Sequence, residues 1–409
     1  MDEQKRGDGS SFPVMVKRLL SVLGLLVLLG APLTASDWAR YRVFVPNHAA
    51  AQRLADSSLN LFSDNITLGF TDVIVGPNDG KELFSLGLPA FFVQSLQAPD
   101  QRTYSQGSGD YRSEYLTFAQ IIQKYEEWRL ANPTWVTRQQ VGTSWEGRPI
   151  WVYRLREPST PVPVRSVILQ GGIHAREWIS PAVVMHLFNQ LRQLAQTSIL
   201  HRWLINEVEV CVFPVLNPDG YVYTWTTDRF WRKNRRNNGN SYGVDLNRNY
   251  SKGWGGAGSS GNPSSSTYRG PSPFSEPETQ AVRNFAATLP NFVGFIDYHS
   301  YGQYILWPWG YTTNPPPDRD EFDRIGRALE QAVERPFGTD YRQGQTSTTL
   351  YLASGASNDW AYNDYGALGF AIELRDQGTY GFELPASQIR PTQDENYFAF
   401  ETFLLELAR

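Results

Sequence analysis

Apolar and polar positions along this chain change their rhythm several times. Residues 19–31 (LLSVLGLLVLLGA) form one unbroken apolar run. Lys5, Arg6, Lys17 and Arg18 precede it, and the small and turn-forming residues 32–36 (PLTAS) follow. A basic start, a short apolar run and a small-residue exit describe a secretory signal over 1–36, since a spanning helix needs about 20 apolar residues. Cleavage is expected near Ala35, and Met15 is an alternative start.

Residues 37–98 alternate in short runs. The stretches 41–45, 65–75 and 89–96 read as strands, 49–60 and 81–86 as helices, and 77–80 (PNDG) as a turn. That order predicts a small open α/β sandwich. Residues 99–110 are polar and rich in Gly and Ser, as in a linker. Beyond it, 111–409 reads as one domain. Apolar strand-like runs at 151–156, 164–170, 207–215, 292–298 and 369–374 interleave with helical stretches at 118–127, 182–195, 276–288, 321–334 and 395–407. Thr117 is placed to cap the first of these helices. Such alternation predicts an α/β sheet covered by helices. The small-residue loop 254–268 is expected to serve a surface site.

Composition narrows the reading. The chain has 409 residues, 41% of them hydrophobic and 14% aromatic, which suits a sizeable core. A net charge of −4 offers no polycationic surface, so nucleic acid is not an expected partner. The single cysteine, Cys211, lies in an apolar strand-like run and is expected to be a packed thiol. Asn65-Ile66-Thr67 is a glycosylation sequon.

The chemistry gathers where strand-like runs end. His174 and Glu177 follow the run 164–170, three residues apart, a spacing that lets both reach one cation on a tight turn. His299 stands at the end of another run. His186 sits in a helical stretch and reads as packed or surface, while His48 and His201 show no partner set. Two His and one Glu with an open fourth position describe a catalytic zinc site, where zinc polarises a carbonyl and activates a water. Glu373 interrupts an apolar run in FAIELRD and needs either an arginine partner, such as Arg375, or a chemical task as general base. Asn217-Pro218-Asp219-Gly220 reads as a turn.

These segments carry a resemblance. EGRPI, GGIHAREW, NPDG, WRK, DLNRN, HSYGQ, LYLASGASNDW and IELRDQGTYGFELPASQI occur in one order across 111–409. The chain thereby resembles the zinc metallocarboxypeptidases of the pancreatic A/B type, the funnelin peptidases. The resemblance implies a mixed, largely central eight-stranded twisted sheet flanked by helices, preceded by a small open-sandwich α/β prodomain. It implies His174, Glu177 and His299 as ligands of one zinc ion, Glu373 as general base and proton shuttle, and Arg232 as the group polarising the scissile carbonyl. Asn247 and Arg248 would grip the substrate's terminal carboxylate, and Tyr351 would close over the last residue. Arg176 and Tyr301 would belong to outer subsites. Asp245 is expected to hold the far ring nitrogen of His174. Asn358 occupies the position that sets specificity; being polar and neutral, it predicts a preference for neutral C-terminal residues.

The expected partners are peptide and protein C termini and a protease that cuts the prodomain within 98–113, at Arg102 or Arg112. The expected location is extracellular or periplasmic, with membrane contact only through an uncleaved leader. The lone cysteine departs from the animal digestive members and leans toward a bacterial source. A cell-wall peptidase of the same superfamily and a silent peptide-binding protein are the competing readings.

Overall fold

The computed structural model describes residues 38–61, 66, 68–76, 79–96, 109–158 and 165–409. The leader, the sequon asparagine and nearly all of the linker lie outside the described residues.

The N-terminal unit consists of β1 (Trp38–Val45), α1 (His48–Ala55), β2 (Asn60–Leu61), β3 (Gly69–Val75), α2 (Gly80–Ser85) and β4 (Ala90–Leu96). Its strands run antiparallel in the order β2-β3-β1-β4. Alternation in β1 sends Ala39, Tyr41, Val43 and Val45 into a small core with Leu54, Leu83 and Val73. The other face of β1 presents Trp38, which packs with Ile74 and Leu96 against Phe230 and Phe382 of the larger unit. The helix expected over 49–60 stops at Ala55, and the Asp56 backbone N–H caps it.

The larger unit opens with α3 (Phe118–Ala131), where Thr117 caps the helix as expected and Gln120 makes the cap reciprocal. There follow β5 (Val136–Thr143), β6 (Pro149–Leu155), β7 (Arg165–Gly171), α4 (Ile179–Thr197), α5 (Ile199–Glu207), β8 (Val208–Phe213), α6 (Pro218–Thr226), α7 (Pro277–Ala286), β9 (Phe292–Ser300) and β10 (Tyr304–Trp307). The chain ends with α8 (Arg319–Glu334), β11 (Arg342–Gln345), α9 (Thr346–Thr349), α10 (Ser357–Tyr365), β12 (Leu368–Leu374) and α11 (Ile389–Ala408).

Eight strands form one mixed sheet in the order β11-β10-β12-β9-β7-β8-β6-β5, as expected. The central four, β12-β9-β7-β8, are parallel. Val208, Val210 and Val212 of β8 point to one core with α4, α8 and α11, while Cys211 and Phe213 point to the other with α7 and α10. Burial on both faces explains the near-continuous apolar runs of these strands. From β7 the chain crosses to β8 on one side, then returns to β9 on the other. The C-terminal ends of β7 and β9 therefore flank the point where strand order reverses, which is where open α/β sheets bind ligands.

Three departures have clear causes. The strands β5, β10 and β11 escape the sequence reading because two are only four residues long and β5 is mostly exposed. Residues 217–220 are not a free turn: Asn217 caps α6 through a 3.0 Å bond from the Gly220 N–H, with Pro218 in the first turn. His201 does have partners, Glu401 at 2.6 Å and Ser198 at 2.8 Å.

Candidate metal centre

His174 and Glu177 sit in the loop between β7 and α4. Gly172 turns the chain there with a φ of +67°, a left-handed conformation that suits glycine. The loop is pinned from below: Asn217 Nδ2 donates to the Ile173 carbonyl at 3.2 Å and to the Lys233 carbonyl at 3.0 Å. A Cβ on Gly220 would stand 2.6 Å from that same Lys233 carbonyl, which accounts for the glycine. The Ala175 N–H completes the tie with a 3.0 Å bond to the Arg232 carbonyl.

His299 arrives from the end of β9. His174 Nδ1 lies 2.7 Å from Glu177 Oε1 and 3.1 Å from His299 Nδ1, and His299 Nδ1 lies 3.2 Å from Glu177 Oε2. All three side chains are at most 2% exposed. Two imidazole lone pairs and a carboxylate in mutual contact repel one another unless a cation stands among them. The donor set fits zinc, with ligand atoms all within 4.8 Å of one another. Among the described residues this is the single such triad. Burial opposes a charged His299, but Asp297 and Glu177 outweigh it and hold the ring above its usual range. The site is thus built to take positive charge.

The far side of His174 meets Asp245: Nε2 stands 3.2 Å from Oδ1. Burial pushes the Asp245 carboxyl up, yet the charges of Arg232 and Arg248 and the bond from His174 hold it well below the usual carboxylate range. Arg232 donates to Asp245 Oδ2 at 3.0 and 3.2 Å and brings Nη1 within 3.2 Å of His174 Nδ1.

Glu373 is on β12, in register with His299 on β9, so the two side chains share a face. Arg375 does not occupy it, since that guanidinium is bonded to Glu395, Gln388 and Thr339. Asn247 and Arg248 lie in a short 3₁₀ turn capped by Asp245. Arg248 donates Nε to the Gly258 carbonyl at 2.7 Å and lies 5.8 Å from the Tyr351 ring. Loop 254–268 thus does serve the site. A Cβ on Gly258 would fall 1.6 Å from the Leu352 carbonyl, so the arginine's anchor requires glycine. Arg176 is buried with its guanidinium 4.0 Å over the Phe382 ring, and Tyr301 meets the same ring at 5.2 Å. Asn358 is 2% exposed, and its Nδ2 has no hydrogen-bond partner among the described residues.

Contacts join His174, Glu177, His299, Arg232, Asp245 and Asn247 where β7 and β9 end, with Glu373 in register beside His299. Two residues beside the site had no role assigned from the sequence. Asp297 approaches His299 from behind, and Arg229 bonds the Arg176 carbonyl at 2.7 Å and the Phe382 carbonyl. Asp297 was legible, since it precedes His299 by two on one strand and so shares its face.

The N-terminal unit lies over this end. A 480 Å³ cavity is lined by Ala51, Gln52 and Leu61 on one side and by Arg248, Tyr351 and Leu352 on the other. A second, of 410 Å³, is lined by Trp38 and Asp79 against Asp228, Trp231, Arg232 and Lys233.

The family profile described as Zinc carboxypeptidase matches residues 121–399. Carboxypeptidase O of Bos taurus is 41% identical over 286 residues, covering 69% of this chain and 76% of its own. Carboxypeptidase A2 of Mus musculus is 39% identical over 292 residues, covering 71% and 69%. Among solved structures, thrombin activatable fibrinolysis inhibitor superposes with a TM-score of 0.79 at 30% identity, covering 91% of this chain and 99% of its own.

Proposed function

The chain belongs to the zinc carboxypeptidase family, and from that premise we propose that it is exported as a zymogen and removes neutral C-terminal residues from peptides and proteins. His174, Glu177 and His299 would hold the zinc ion, which when bound would supply Lewis acidity to a carbonyl and acidify water. Glu373 takes the proton of the attacking water and returns it to the leaving amine. Arg232 presents positive charge where the oxyanion develops. The planar fork of Arg248, with Asn247 beside it, binds the free carboxylate that only a chain terminus offers. Tyr351 closes over the bound residue, and Arg176 and Tyr301 hold the residues upstream.

The observation that carries the specificity is Asn358. It is buried and neutral, with no countercharge for Lys or Arg, and its Nδ2 can donate to a polar neutral side chain. Gly310, Thr346, Ala353, Ala356 and Ala371 at the matching pocket positions are all small. The test is a panel of blocked dipeptides differing only in the last residue, run on protein cut within 98–113. Chelator-sensitive release of Phe, Leu and Gln, at least about tenfold faster than Arg for roughly one lost charge pairing, is expected. A dominant release of Arg overturns the reading.

The N-terminal unit acts as the prodomain, with cleavage at Arg102 or Arg112 freeing the cleft. Arg112 is half-buried and bonded to Asp394, and Arg102 lies outside the described residues. Among the described residues no helix is long and apolar enough to cross a membrane, and the leader is the remaining membrane contact. An extracellular or periplasmic location follows from that leader. A bacterial source rests on the single cysteine, against relatives that are mammalian.

A further inference from the structure

Each imidazole of the triad has a second ring nitrogen, and each finds a carboxylate. For His174 it is Asp245. For His299 it is Asp297, whose Oδ2 stands 3.1 Å from Nε2. Asn247 Nδ2 also approaches that Nε2, at 3.3 Å. An amide nitrogen donates and a carboxylate only accepts, so the two cannot both bond one ring nitrogen. With Nδ1 turned to the metal, Nε2 carries the hydrogen, and the acceptor is Asp297.

The rest of the structure holds Asp297 for that task. It is fully buried, and Ser357 Oγ donates to the same Oδ2 at 2.6 Å. The Ser357 N–H bonds Asn247 Oδ1 at 2.9 Å, so one short chain of contacts links the metal ligand to the residue beside Arg248. Gln170 is the register neighbour of Asp297 on β7, and Tyr250 lies on the same side of the sheet. Asp297 Oδ1, both polar ends of Gln170 and Tyr250 Oη are buried without a partner among the described residues. Burial, with the nearby Asp297 charge, keeps the Tyr250 phenol protonated and able to donate.

Charge counting agrees. The carboxylates in contact with the two imidazoles include Glu177, Asp245 and Asp297, a set whose negative charge favours a cation between the rings.

We propose that Asp297 is the positioning residue of His299: it accepts the Nε2 hydrogen, fixes the tautomer and plane of the ring, and thereby raises the affinity of the site for zinc. The inference rests on the zinc triad and on none of the proposed substrate contacts. Carboxylates behind metal-bound histidines act in this way, and losing one costs about 10- to 100-fold in metal affinity.

The test uses the full chain, stripped of metal and titrated with zinc against a chromophoric chelator. Asp297→Asn is expected to weaken zinc binding by about 10- to 100-fold and to shift the visible absorption of the cobalt-loaded protein. Asp297→Ala is expected to weaken it at least as much. A purely structural role would lower the thermal stability of the metal-free form and leave both readouts unchanged. If Asp297→Ala does not fold, the isosteric Asp297→Asn still decides. Zinc affinity within about twofold of wild type, with an unchanged cobalt spectrum, overturns the proposal. Wild-type protein that took up no zinc would overturn the functional reading as well, so the two failures are distinct.

Discussion

At the metal centre both histidine ligands are braced from behind by buried charged groups, whereas the seam under the N-terminal sheet is held at separate points. Behind His174 stand Asp245 and Arg232, and behind His299 stands Asp297. The loop between them is bonded to Asn217 and Arg232. Along the seam, Trp38 meets Phe230 with ring centres 5.6 Å apart, Arg40 donates to the Gly378 carbonyl at 3.2 Å, and Asp56 accepts from Ser260 at 2.8 Å. Cavities of 410 and 480 Å³ separate those points. The first region is over-determined, as a site that fixes geometry must be. The second resembles an interface between domains that can part.

Changes at the first region should therefore remove chemistry outright, and changes at the second should only shift an equilibrium. The largest effect is expected for Glu373→Gln in cut protein. It should lower kcat by about 10²–10⁴ while zinc uptake stays intact, measured by turnover and metal titration side by side. Retained turnover would show that the proton passes elsewhere.

Next comes the seam. Trp38→Ala removes an aromatic pair worth about 0.5–1.5 kcal/mol, so uncut protein should gain activity by a few-fold to about tenfold. Cut protein, freed of its N-terminal unit, should not respond. An unchanged uncut protein would mean that the seam is stiffer than its contacts suggest.

The smallest effect concerns pH. Burial pushes the Asp228 carboxyl up to about 6; the Phe230 N–H and Arg176 pull it down, and the Asp79 charge across the seam adds to the rise. Burial likewise raises Asp79, against the Gly76 N–H and with Glu82. The part of the Asp228 rise owed to Asp79 across the seam favours the docked form at low pH, and that contribution is lost as pH climbs through about 6. Uncut protein should leak more activity at neutral than at acid pH, relative to cut protein at the same pH. Asp79→Asn should flatten that slope; a slope that stays the same would remove the pair from the account.

Legibility in the sequence follows the same division. His174, Glu177 and His299 were visible because they stand at the ends of apolar strands, and β7, β8, β9 and β12 were visible because burial on both faces makes them nearly all apolar. The edge strands were not: β11 reads RQGQ and is partly exposed, so nothing in its composition separates it from a loop. Helix α6 hid behind Asn217-Pro218-Asp219-Gly220, whose residues suit a helix start as well as a turn. The place of Asp297 on the face of His299 was legible from the spacing, but its role was not, because its partner nitrogen is set by the ring orientation of His299. The seam was illegible for a different reason. Trp38, Phe230 and Phe382 are far apart in the chain and share no periodicity.

The order in which the triad enters the chain bears on when the protein can be loaded. His174 and Glu177 belong to one loop, but His299 lies 125 residues after His174 and reaches it only once β9 has paired with β7. At about 5–20 residues per second, a ribosome needs roughly 6–25 s to cover that gap. During that interval two ligands are present without the third, so the complete donor set exists only once the centre of the sheet has closed.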